Sequence, residues 1–253
     1  MSTNTYHYPT YPPQSGVMTD SIRSRYIDKA IEQNLLPEQA HRLAPVVSLV
    51  ASDDPNKPIQ FWQLYSVMGP HRIEAIVRRF YNRVFEDEPW FTSVFERVAS
   101  KERHIQTQAS MWIDVMGGGR AYHGGEFRLN FHHTHNAFEL MNDKGALRWV
   151  DLMVETLNHP SVDYTQDDRV RPAINTFLSY FMSKYADDFN FQDCSAFGDT
   201  NPVVKRHVDF LNMSFDAVEA LSEEELIDTL LVRGVDVNLL ANKSQLVSKA
   251  LSL

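Results

Sequence analysis

His135 lies in a run of glycine, aromatic and imidazole side chains that extends from residue 117 to residue 138. Upstream segments carry a phenol at Tyr81, an imidazole at His104 and an amide at Gln108. A neutral imidazole on one side of an apolar slot, with polar side chains opposite, is the arrangement that a haem pocket requires, because the iron takes one protein nitrogen. A solvated polar turn explains the same histidines, and residue chemistry alone favours that simpler interpretation.

Two neighbouring histidines offer alternative ligands. If the ligand position in this run is shifted by two or three residues, His133 or His132 takes the place of His135 as the ligand. A hydrolytic metal site built from all three is disfavoured, because no carboxylate lies at a spacing typical of zinc sites.

Hydrophobic spacing predicts helices and no strand of useful length, so the predicted fold class is all-α. The predicted helices cover residues 22–34, 73–84, 104–115, 149–157 and 168–185. Asp20 is expected to cap the first of them. The triple glycine at 117–119 is expected to end the helix that carries His104 and Gln108 on one face.

Composition shifts predict five segments along the chain. They are a disordered N-terminus at 1–18, a helical extension at 19–60, a helical core at 61–186, a linker with a short helix at 187–220, and a helix-turn-helix at 221–253.

Net charge, cysteine content and hydropathy restrict the classes of protein to which this chain can belong. The net charge is −9, and most of the excess acid lies after residue 186, which argues against nucleic-acid binding. The single cysteine, Cys194, excludes an intramolecular disulfide and favours a reducing compartment. No run of 18 apolar residues is present, so a membrane span is not expected. We therefore expect a cytoplasmic protein, with organelle targeting left open.

The order of motifs over 61–185 resembles the truncated (two-over-two) haemoglobins, closest to the second group and its plant-type members. The matching stretches are Met68-Gly69, Arg79-Phe80-Tyr81, the run from Glu86 to Phe95, Ile105-Gln106-Thr107-Gln108, Met116-Gly117-Gly118, His135 with Phe138 three residues later, and Trp149. The resemblance implies a two-over-two helical core and a haem b cofactor.

The resemblance also implies roles for individual residues. His135 matches the proximal iron ligand, since the spacing from Gly117 to Phe138 needs no gap. The haem contacts implied are Phe95, His104, Gln108, Tyr122, His135, Phe138 and Trp149, and the distal residues that face a ligand are Tyr81, His104, Gln108 and Trp149.

Two positions depart from the family pattern. His104 stands where a small or apolar residue is common, which raises the possibility of a histidine-gated or six-coordinate iron. Thr134 stands where a basic residue is common just before the proximal histidine, so one expected propionate contact is in doubt.

The implied function is reversible binding of O2, with NO, CO and sulfide as further ligands. Two alternatives remain open. One is NO dioxygenation or weak peroxidase activity, which needs a separate reductase. The other is a sensor or adaptor that signals through the end of the chain, where residues 221–253 weakly resemble SAP-like modules and are expected to bind a protein partner.

Overall fold

The computed structural model describes residues 11–33, 35–97, 100–201, 210, 213–240 and 242–252. Regular structure in these ranges is helical apart from one bridge between Gln14 and Gly118, which confirms the all-α prediction. The described residues fall into two compact units, one within Met1–Lys29 and Gln39–Pro202, the other within Ala30–Glu38 and Val203–Leu253. None of the helices in these ranges is both long and apolar enough to cross a membrane.

The first unit is built on eight helices among the described residues. They are α1 (Val17–Glu32, of which residues 17–29 belong to this unit), α2 (Ala44–Val47), α3 (Leu64–Val84), α4 (Pro89–Glu96), α5 (Lys101–Val115), α6 (Gly125–Phe131), α7 (Asp143–Leu157) and α8 (Val170–Phe189). A π turn at His132–Asn136 continues α6. Helix α3 packs against α5, α7 and α8 and is therefore the centre of this unit.

Helix α3 confirms the long helix predicted from apolar spacing. Ile73, Val77 and Phe80 are buried along one face, as the i, i+3, i+4, i+7 pattern requires. The helix is interrupted at Gly69, whose φ of 68° is non-helical, and it resumes at Pro70. Proline suits the first turn of a helix because its missing N–H has no intrahelical partner there.

Helix α5 carries His104 and Gln108, as predicted. Ser100 caps it by accepting a hydrogen bond from the Arg103 N–H. The helix ends at Val115, directly before the glycine run. Gly117 adopts a φ of 91°, a conformation that side chains other than glycine rarely take.

Helix α1 begins earlier than predicted, and Asp20 is not its cap. It starts at Val17, so Asp20 lies within the first turn and pairs with Arg23 at 2.7 Å. The cap comes from the Asp114 carboxyl group on α5, which accepts hydrogen bonds from the N–H groups of Met18 and Thr19. A cap supplied from about 95 residues away leaves no local pattern in the sequence.

The structure also differs from the disorder predicted for the N-terminus where it describes that segment. The Gln14 N–H donates to the Gly117 carbonyl at 2.9 Å, and α1 is already formed at Val17. The remainder of the predicted disordered segment, 1–10, lies outside the described residues.

The second unit contains helices α9 (Phe215–Glu219), α10 (Glu223–Val232) and α11 (Lys243–Leu251). Its core consists of Phe210, Val218, Leu221, Leu226, Leu230, Leu246, Val247 and Ala250. Helix α10 begins with a capping box between Ser222 and Glu225, and Gly234, at a φ of 76°, forms the turn after it. The predicted helix, glycine turn and helix are all present, while most of the short helix expected at 203–215 lies outside the described residues.

Candidate functional site

A cavity of about 120 Å³ lies in the interior of the first unit. Its wall is largely apolar and is formed by side chains of α3, α4, α5, α6, α7 and α8. The polar side chains that reach it are Tyr81, Gln108, His132, His133, Trp149 and Tyr185. An apolar cavity with a few convergent polar groups is the usual form of a cofactor or ligand site.

Four residues predicted from the sequence meet at this cavity. Tyr81 from α3, Phe95 from α4, Gln108 from α5 and Trp149 from α7 all line it. They come from four helices that are distant in sequence, so their convergence depends on the packing of the whole unit.

The Tyr81 hydroxyl is suited to donate a hydrogen bond into the cavity. Tyr81 is 7% exposed, and burial raises the pKa of its hydroxyl above the ordinary value, with the neighbouring Tyr122 adding to the effect. The hydroxyl therefore keeps its proton at neutral pH and can act as a donor.

His104 lies directly behind Tyr81, with the two ring centroids 4.5 Å apart, and is not among the residues that line the cavity. Only 4% of the residue is exposed, and its Nε2 atom has no hydrogen-bond partner. Burial, reinforced by the charge of nearby His132, lowers the pKa of His104 to about 4. The imidazole is therefore neutral at neutral pH. A buried nitrogen without a hydrogen-bond partner is costly, and this one is separated from the cavity by Tyr81.

His133 has the geometry of an axial metal ligand. Its Nδ1 lies 2.8 Å from the Leu129 carbonyl oxygen. Because a carbonyl can only accept, Nδ1 carries the proton and Nε2 keeps its lone pair. Burial, with a smaller contribution from His132, lowers the pKa of His133 to about 3, so the ring is neutral. The ring also lies 4.2 Å from that of Tyr185, which fixes its plane.

Comparison with known proteins identifies the domain that contains this cavity. Residues 63–182 match the family model described as bacterial-like globin. These residues are a bacterial-like globin domain.

Two plant proteins are similar to part of this chain. The chain is 30% identical to two-on-two hemoglobin-3 of Arabidopsis thaliana over 109 residues, which are 43% of this chain and 61% of that protein. It is 28% identical to group 2 truncated hemoglobin 3-1 of Lotus japonicus over 122 residues, which are 47% of this chain and 70% of that protein. The chain thus spans less than two thirds of the Arabidopsis relative. No solved structure gives a significant match.

In the globin domain His135 does not line the cavity, contrary to what the sequence indicated. The residue is exposed and its ring stacks on Phe131 at 4.2 Å. Its Nδ1 lies 2.7 Å from the Thr134 hydroxyl and 3.2 Å from the Phe131 carbonyl oxygen. The physical reason is helical geometry. Leu129 faces the cavity, and His133, one turn later, shares that face, whereas His135 lies on the opposite side.

Two further predicted haem contacts also lie outside the cavity wall. Phe138 is 61% exposed and its nearest aromatic neighbour is Phe189, with ring centroids 6.4 Å apart. Tyr122 is buried, but its backbone N–H is bound to Asp114 and its side chain is not part of the wall.

Sequence reasoning missed the cavity-facing positions of His132 and Tyr185 and gave His133 second place. The spacing of four between Leu129 and His133 is a signal that could have placed His133 on the apolar face of a helix. Tyr185 carries the same signal, because it follows Phe177 and Phe181 at spacings of four on α8. Among the described residues, no group of three or more His, Cys, Asp or Glu side chains is arranged to hold a metal ion by itself.

Proposed function

We propose that the globin domain holds one haem b group in this cavity and that the His133 Nε2 atom would bind its iron. The observation that carries the proposal is the position of His133 in the cavity wall, where the hydrogen bond from its Nδ1 to the Leu129 carbonyl leaves the lone pair on Nε2. The sequence-based ligand, His135, has its ring outside the wall and is the alternative that the experiment must test.

The residues present fit a haem group chemically. The wall is mostly apolar and provides one neutral imidazole, as a haem pocket requires. The single cysteine cannot supply the paired thiols of covalent attachment through C-x-x-C-H, which favours haem b.

The part of the cavity wall best placed to move when a haem group enters is α6 with the π turn. Phe127 and Phe131 of α6 are 81% and 47% exposed, so one face of this segment is not packed in the core. A segment with few buried apolar contacts opens at lower free-energy cost than core helices such as α3.

When bound, the iron supplies reversible ligation of O2, and of NO, CO or sulfide. The protein contributes the opposite side of the pocket, where Tyr81, Gln108 and Trp149 can donate hydrogen bonds to a polar ligand. The apolar wall excludes water and so strengthens those hydrogen bonds. Several donors favour slow ligand release, which suits ligand chemistry or sensing. Nitric oxide dioxygenation or weak peroxidase activity with a separate reductase stays a prediction.

A sensor role is supported by one further observation. The end of the chain, as far as it is described, belongs to a separate compact unit with its own apolar core. Hydrogen exchange of residues 213–252 in the ferrous protein, with and without CO, tests this role. Ligand-dependent exchange there supports signalling through the second unit, and identical exchange contradicts it.

The experiment that tests haem binding is titration of the purified full chain with haemin, followed by absorption spectra of the ferric and ferrous forms. We expect a Soret band that saturates at one haem per chain and a shift on adding CO to the ferrous form. A titration without saturation, or a spectrum identical to that of free haemin, would contradict the proposal.

A further inference from the structure

Asp114 is a fully buried carboxyl group on α5 that joins three parts of the first unit. Its Oδ1 accepts hydrogen bonds from the N–H groups of Met18 at 3.0 Å and Thr19 at 3.2 Å. Its Oδ2 accepts from the Tyr122 N–H at 2.7 Å. Three chain segments therefore meet at one side chain: the start of α1, the end of α5 and the loop that leads into α6.

The start of α1 is shaped to receive this carboxyl group. Met18 and Thr19 are in the first turn of the helix, where N–H groups lack intrahelical partners. The residue before the helix is Gly16, and a Cβ at that position would lie 2.0 Å from Asp114 Oδ1. The Thr19 hydroxyl donates to the Asp114 carbonyl and accepts from the Gly16 N–H at 3.0 Å. The cap that a side chain at position 16 would normally supply is thus replaced by a side chain of α5.

Each of the two segments joined to α1 leads to a part of the cavity wall. Helix α5 contributes Gln108 and Trp112 to that wall, and the loop that begins at Tyr122 leads into α6 and on to His133. Residues 17–32 lie outside the globin match at 63–182, yet they supply two of the three backbone donors that Asp114 accepts.

We propose that Asp114 is a positioning residue that makes the spacing of the two cavity walls depend on docking of α1. This inference rests on the proposed function only where it concerns ligand binding, and the coupling itself is a property of the haem-free chain. In Asp114→Asn one of the two oxygens becomes an NH2 group, which cannot accept a hydrogen bond. Either the N–H groups of Met18 and Thr19 or that of Tyr122 then lose their acceptor, and a buried N–H is costly to leave unpaired.

The test is hydrogen exchange of the haem-free full chain carrying Asp114→Asn, compared with Asp20→Asn. Asp20 is an exposed carboxylate in the same first turn, with 60% of its side chain accessible, and serves as the matched control. We expect Asp114→Asn to speed exchange roughly 5- to 30-fold, the factor that corresponds to loss of a helix cap. The effect should extend to α5 and to residues 122–131. Asp20→Asn should leave those segments unchanged.

A second variant keeps the test decisive if Asp114→Asn does not fold. Gly16→Ala keeps the carboxyl group and displaces it, because the new Cβ cannot stay 2.0 Å from Oδ1. It should speed exchange in the same three segments. Faster exchange confined to α1 in both variants would overturn the proposal, since Asp114 would then be a local cap only.

A readout in the haem-loaded chain separates positioning from stability. Asp114→Asn should change the oxygen dissociation rate several-fold at a temperature where the protein is fully folded, and Asp20→Asn should not. An unchanged rate in a folded Asp114→Asn variant would contradict positioning of the pocket. If the wild-type chain binds no haem, the proposed function fails while the exchange experiment still decides the coupling.

Discussion

His133 and His135 are separated by one residue, but the structure gives them opposite environments. His133 lines the cavity and binds the Leu129 carbonyl, whereas His135 is exposed and stacks on Phe131. Sequence similarity favoured His135 because spacing from the glycine run needed no gap. The helical spacing of four from Leu129 favours His133, and its meaning is clear only once Leu129 is known to face the cavity.

Replacing Tyr81 by Phe tests the hydrogen bond across the pocket. Loss of a hydrogen bond to a polarised ligand costs about 1.5–3 kcal/mol, so oxygen should dissociate roughly 10- to 150-fold faster. The measurement is stopped-flow displacement of oxygen by CO. Tyr180→Phe is the control, because Tyr180 packs against Phe61 and does not line the cavity. Equal rates for Tyr81→Phe and wild type would leave Tyr81 a packing residue.

His104 allows two outcomes that a ferrous spectrum without added ligand distinguishes. Its neutral imidazole and unpaired Nε2 permit coordination of the iron. In the structure, however, it lies behind Tyr81 and not at the cavity wall. We therefore expect a high-spin spectrum at neutral pH. A low-spin spectrum with split visible bands that disappears in His104→Leu would show coordination instead.

The lowered pKa of His104 predicts how stability depends on pH. Burial sets this pKa at about 4, below the ordinary 6.5. As pH falls below about 6.5, the unfolded chain takes up a proton that the folded chain does not, so the free energy of unfolding decreases. The decrease should be about 2 kcal/mol between about pH 7 and pH 5 for this residue. Urea unfolding of the haem-free chain measures it, and His104→Leu should show a weaker pH dependence. Equal pH dependence in both chains would contradict a neutral buried imidazole.

At the scale of elements, the sequence predicted most helices but not what connects them. The spacing of Ile73, Val77 and Phe80 predicted α3, and the glycine run predicted the end of α5. The start of α1 was misplaced because its cap is Asp114, a residue of another helix. A local sequence pattern reflects hydrogen bonds between residues close together in the chain. A helix cap supplied by a distant residue therefore leaves no such pattern.

At Gly117, just after the end of α5, the backbone conformation requires glycine. Its φ is 91°, and a Cβ would lie 2.3 Å from the backbone oxygen of buried Trp62. Gly117→Ala should therefore lower the free energy of unfolding by about 2 kcal/mol or more. Gly125→Ala is the control, since it also has positive φ but would contact only the Val17 side chain at 3.1 Å. Urea denaturation measures both, and an equal loss of stability would mean that the Trp62 contact adds nothing.

At the scale of the molecule, a globin domain at 63–182 is joined to further segments that the family match does not cover. The N-terminal helix α1 joins the globin domain through Asp114, and the end of the chain belongs to a separate unit. Composition predicted separate segments but not the attachment of α1, because the contacts that attach it, such as those of Asp114 with Met18 and of Tyr26 with Phe61, join residues distant in sequence. The resemblance of residues 221–253 to SAP-like modules, the absence of nucleic-acid binding and the cytoplasmic location stay predictions.

The central claim is that one haem is held through His133, and haem binding by His133→Ala and His135→Ala tests it most directly. Both chains should be titrated with haemin beside the wild type, with exposed His123→Ala as a control. We expect His133→Ala to lose the saturable Soret band and to regain a haem spectrum when free imidazole is added. His135→Ala should match the wild type. A normal Soret band in His133→Ala, with loss of haem in His135→Ala, would contradict the account and return the iron ligand to His135.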